Sequence, residues 1–68
     1  SVIMIRYMVS YRLDYFGSNS GNRTFDDRKQ AIRWMNQPAF ISKTLFWYIE
    51  GGFMSDLHEV PPLFATEI

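Results

Sequence analysis

The stretch Val2–Gly17, VIMIRYMVSYRLDYFG, decides the fold. Its odd positions are Ile3, Ile5, Tyr7, Val9, Tyr11, Leu13 and Tyr15, every one apolar or aromatic. Its even positions mix Met4 and Met8 with Arg6, Ser10, Arg12 and Asp14. Side chains alternate between the two faces of a strand, so this pattern predicts a strand over 2–16 with one buried face. Its β-branched and aromatic residues suit a pleated, half-buried surface.

Working outward, the cluster Ser18-Asn19-Ser20-Gly21-Asn22 reads as a turn, because Gly and Asn tolerate positive φ. A short strand over 23–25 should pair back as a hairpin. A helix over 26–36 follows. Thr24 or Asp26 can cap it, and Asp26 and Asp27 suit the positive end of its dipole. Gln37-Pro38 stops it, since the residue before proline disfavours helical backbone. Ala31, Ile32 and Met35, joined by Trp34, form its apolar face, while Arg28, Lys29 and Arg33 lie mostly on the other side.

The segment 40–50, FISKTLFWYIE, reads as a second long strand with large apolar groups on both faces. Ile41, Leu45, Trp47 and Ile49 share one face; Phe40, Phe46 and Tyr48 share the other. Gly51-Gly52 suits a type I′ hairpin turn. The chain then returns as a fourth strand over 53–58, in competition with a short helix over 55–59. Pro61-Pro62 ends regular structure, and 60–68 is a tail.

These elements assemble into a single α+β domain over residues 1–68, of ββαβ(β) order. A crossover through the helix places the third strand beside the first, so the sheet is antiparallel in order 2-1-3-4 with the helix on one face. Fifteen strand residues extend roughly 50 Å. An eleven-residue helix is only about 16 Å long. The apolar stripe is therefore longer than its own cover.

Composition sharpens the point. A chain of 68 residues buries a small fraction of its surface, and small domains usually lean on a staple. With no cysteine and one histidine, His58, neither disulfides nor a structural metal is expected. Hydrophobic residues make up 47% and aromatic ones 18%, which argues for a packed domain and leaves packing and association as the staples. Net charge is zero but unevenly spread. Residues 1–43 hold all seven Lys and Arg with Asp14, Asp26 and Asp27, whereas residues 44–68 hold only the acids Glu50, Asp56, Glu59 and Glu67. No membrane span and no signal peptide are expected, which points to the cytoplasm.

Chemistry-bearing clusters are weak. Ser55, Asp56, His58 and Glu59 hold the residue types of a hydrolytic triad, but a triad takes its geometry from separate elements. Asp26-Asp27 is accounted for by the helix start. Gly51-Gly52 lacks the lysine and following helix of a phosphate loop. The expectation is a non-catalytic protein with no cofactor.

An apolar surface larger than its cover marks an interaction site. Met4, Met8 and Tyr11 are the candidates for self-association into a homo-oligomer. Arg28, Arg33 and Trp34 are the candidates for a partner-protein contact, since Trp and Arg are enriched among interface anchors. The alternative is nucleic-acid binding through Arg28, Lys29 and Arg33 on the basic helix face, with Arg23 on the hairpin, which a net charge of zero weakens.

The stretch Arg23–Met35, RTFDDRKQAIRWM, places an aromatic before an acidic helix start, then Ala and Trp in the helix. Within residues 5–50 the chain resembles short accessory proteins encoded by bacteriophages and prophages, among them host-takeover and anti-CRISPR proteins. The resemblance implies a small non-catalytic protein that binds a host macromolecule and modulates or inhibits it by steric occlusion. It carries over no functional residues, because that group shares no site motif.

Overall fold

Alternation in the first segment builds strand β1, Ile5–Arg12, in the computed structural model, which describes residues 4–16, 18–52 and 57–61. The strand stops at Arg12, short of the expected end at 16, and Val2 and Ile3 of the expected 2–16 lie outside the described residues. Asp14 ends it by local hydrogen bonding: its carboxylate accepts from the Ser18 backbone N–H at 3.2 Å and from the Ser18 hydroxyl at 2.7 Å. Such side-chain bonds offer the backbone an alternative to the ladder. The Leu13 N–H donates to the Asn19 carbonyl at 2.7 Å and closes the hairpin. Tyr15 and Phe16 therefore stand exposed in the loop.

Strand β2, Ser20–Phe25, starts earlier than the expected 23–25, so Ser20, Gly21 and Asn22 belong to the ladder and not to the turn. Gly21 has no positive φ. It faces Tyr11 in register, and a Cβ there would lie 2.9 Å from the phenolic oxygen. Glycine at this point makes room for a ring, which is one of its usual roles inside a strand.

Helix α1 is Arg28–Met35, shorter at both ends than 26–36. Its cap is Asp27, extended at φ −122° and ψ 131°, whose carboxylate accepts from the Lys29 N–H at 3.2 Å. Neither expected cap, Thr24 or Asp26, fills that place; Asp26 pairs with Arg6 instead. The helix buries Ala31, Ile32 and Met35 and ends where the Asn36 N–H donates to the Ile32 carbonyl, two residues before Pro38.

Strand β3, Ser42–Ile49, is likewise shorter than 40–50. Phe40 precedes it, and its ring packs on Tyr11 and Trp34, on the helix side and not on the opposite face. The Gly52 N–H donates to the Ile49 carbonyl at 3.0 Å. Among the described residues only Gly51 has a positive φ, 83°, which is the requirement of a type II turn and not of type I′. Strand β4 is confined to His58–Glu59, paired with Trp47 and Phe46. Most of the expected strand 53–58, and all of 62–68, lies outside the described residues.

The sheet is antiparallel in order β2-β1-β3-β4 with α1 against it, the α+β arrangement that the pattern predicts. Val9, Phe25 and Leu45 pack against Ala31, Ile32 and Met35, ringed by Tyr7, Tyr11, Trp34 and Val60.

Candidate interaction surface

The register of β1 and β3 sorts their side chains into layers. Opposite residues share a face, so Ile5–Ile49, Tyr7–Trp47, Val9–Leu45 and Tyr11–Lys43 stack along the helix side. The helix closes over the Val9–Leu45 layer, where both residues are buried. An aromatic cluster closes the Tyr11 layer. Trp34 lies 5.1 Å from Tyr11, 4.8 Å from Phe40 and 5.6 Å from Phe25 between ring centroids. Arg23 lies over two of these rings, 5.0 Å from Trp34 and 5.3 Å from Phe25. That range permits cation–π attraction and fastens β2 to the helix.

Cover runs out at the other end. Tyr7 and Trp47 are half-buried, and the Ile5–Ile49 pair is 47% and 44% exposed although it continues the core stripe. A cleft of about 310 Å³ opens there, lined by Ile5, Tyr7, Arg28, Trp47, Val60 and Pro61. Trp47 is held flat against His58, with centroids 4.2 Å apart and planes 19° from parallel. The cleft thus has apolar walls, one rigid indole and one guanidinium, a mixture typical of protein contact sites.

The face away from the helix carries Met4, Arg6, Met8 and Ser10 beside Tyr48, Phe46 and Thr44. Arg6 binds Asp26 at 2.6 Å and reaches Glu50 at 4.0 Å. A side-chain hydrogen bond with Tyr48 and the charge of Asp26 hold its guanidinium above its ordinary range, so it stays a cation. This group ties β1, the end of β2 and β3 together; it is partly solvated and structural in geometry.

The residues singled out from sequence do not form single surfaces. Met4 is 56% exposed, Met8 is 7% exposed on the same face, and Tyr11 lies on the opposite face inside the aromatic cluster. Of the partner-contact group, Arg28 lines the cleft, Arg33 is exposed on the last helical turn, and Trp34 is half-buried among rings. Arg28 and Trp34 are six residues apart, about 9 Å along the axis and on different sides of the helix. Ile5, Ile49 and Trp47 emerge instead. Their shared face was legible in the alternation, but the register that sets Ile5 opposite Ile49 was not. His58 stacks on Trp47 whereas Glu59 pairs opposite Phe46, so the two point to opposite faces of β4. Among the described residues no three His, Cys, Asp or Glu side chains gather as a metal site, and no helix is long and apolar enough to cross a membrane.

No protein-family model, no curated protein and no solved structure matches this chain.

Proposed function

We propose that this protein is a non-catalytic binding module that acts by covering a surface of a partner protein. The observation that supports it is the exposed Ile5–Ile49 pair, continuous with the core and opening into the Trp47 cleft. Leaving two large aliphatic side chains half in water at a well-paired strand end forgoes burial that a partner can supply. Trp47 is a suitable anchor, because its stacking on His58 reduces the side-chain freedom lost on binding. Steric occlusion of a host protein is also what the resemblance to phage-type accessory proteins implies.

The test compares capture of a protein from a lysate of the source cells by the wild-type chain, by Ile5→Ser/Ile49→Ser and by Arg33→Ala. The double variant should retain at least tenfold less of the captured protein, and Arg33→Ala should retain it fully. Equal capture by all three would remove the assigned surface. A salt-sensitive mobility shift of oligonucleotides, abolished by Arg33→Ala, would replace this reading with nucleic-acid binding.

A further inference from the structure

The β2 edge of the sheet is separate from the Ile5–Ile49 surface, which lies at the ends of the two central strands. In the order β2-β1-β3-β4, β2 is an end strand. The Leu13 N–H donates to the Asn19 carbonyl, which fixes the phase of the β1–β2 ladder. In that register Gly21, Arg23 and Phe25 direct their backbone groups to β1, and Ser20, Asn22 and Thr24 direct theirs outward. Asn22, Arg23 and Thr24 are all exposed. The strand has no proline and no lysine, two of the usual devices that discourage edge pairing.

We propose that this edge is a self-association site, in which two copies pair β2 against β2 antiparallel about a two-fold axis at Asn22. Three observations support a second copy as the occupant. First, the sequence Ser20-Gly21-Asn22-Arg23-Thr24 is self-complementary in this register. Asn22 exchanges two backbone hydrogen bonds with the partner's Asn22, and each Thr24 N–H donates to a Ser20 carbonyl across the axis. A carbonyl oxygen has two lone pairs, so an existing contact of Ser20 does not preclude this bond.

Second, charge favours this register over its neighbour. Arg23 falls opposite the partner's Gly21, beside the Tyr11 hydroxyl that overlies that glycine. A slip to an axis at Arg23 would set the two Arg23 residues directly opposite each other, and a like-charged cross-strand pair is destabilising. Third, the helices do not obstruct. The helix packs chiefly on β1, and the two β1 strands would be three strand spacings apart, about 14 Å. Packed helices need only 8–10 Å. The product is an eight-stranded sheet with both helices on one face. A C2 interface of this kind is isologous and closes, so it stops at two copies.

The chain has no cysteine, which makes a direct test available. Hydrogen-bonded antiparallel partners have Cα atoms about 5.5 Å apart. That lies inside the disulfide range. The two copies of residue 24 would be separated by four residues, about 14 Å along the strands. Asn22→Cys should therefore oxidise to a covalent dimer at least tenfold faster than Thr24→Cys at equal concentration. Asn22→Pro removes an outward N–H at an edge position where proline is tolerated, so it should keep the wild-type circular dichroism and remain a monomer in sedimentation where the wild type gains mass with concentration. Equal crosslinking of the two cysteine variants, or a wild-type chain that stays monomeric to millimolar concentration, would overturn the proposal.

Discussion

Gly21 shows how one residue can be placed for a reason its sequence context conceals. Beside Ser18, Asn19, Ser20 and Asn22 it reads as turn chemistry, yet it sits in a strand under the Tyr11 ring. Gly21→Ala puts a methyl 2.9 Å from the phenolic oxygen and 3.2 Å from the ring carbon that bears it. The ring cannot swing away freely, because Trp34 and Phe40 pack on it. The expected cost is about 1 kcal/mol, the lower end of overpacking. Urea denaturation should show it, and Tyr11→Phe in the same chain should recover part of it. Asp26 and Asp27 make a second residue-scale contrast. Asp27→Ala removes the cap and should cost about 1 kcal/mol. Asp26→Asn only loosens the solvated pair with Arg6, so its small drop in melting temperature at low salt should vanish near 1 M salt.

At the scale of elements, the helix covers only part of the apolar face. Eight residues span about 12 Å, and they close over the Val9–Leu45 layer while leaving Ile5 and Ile49 exposed. Ile32 is the side chain on which that cover depends most, since it is 1% exposed and central to the cluster. Ile32→Ala should cost 2–5 kcal/mol, the usual range for a large aliphatic truncated in a core. In a 68-residue chain that is a large share of total stability, so calorimetry should find the variant largely unfolded at 37 °C. Ile49→Ser should behave in the opposite way. It changes an exposed position, and its stability should stay within about 0.5 kcal/mol of wild type while partner capture falls.

For the whole molecule, the two proposals use the two ends of one architecture. The Ile5–Ile49 end offers apolar surface and an indole; the β2 edge offers, among the described residues, backbone groups at Asn22 and Thr24 that point away from β1. The first depends on desolvation and the second on hydrogen bonds in register. Combining Ile5→Ser/Ile49→Ser with Asn22→Pro should therefore give additive losses: the double serine change abolishes capture without altering the sedimentation profile, and the proline change does the reverse. Sites this far apart, with no shared side chains, usually combine additively.

Periodicity determined the α+β class and the identity of the helix's buried face at Ala31, Ile32 and Met35, and with the crossover through the helix it determined the strand order 2-1-3-4. Those properties follow from local geometry: a repeat of two makes a strand, a repeat near 3.6 makes a helix, and a short chain has few ways to join them. Element ends were not legible, because Asp14, Asp26 and Asp27 are chemically alike and only their surroundings assigned them to a loop, an ion pair and a cap. The interaction surface was legible in part. Alternation put Ile5, Tyr7 and Val9 on one face, and the length mismatch with the helix showed that some of that face had to remain open. Which part remains open depends on the register between β1 and β3 and on where the helix docks. Both are set by contacts between residues some forty positions apart, such as Ile5 with Ile49, and those exist only once the chain has folded.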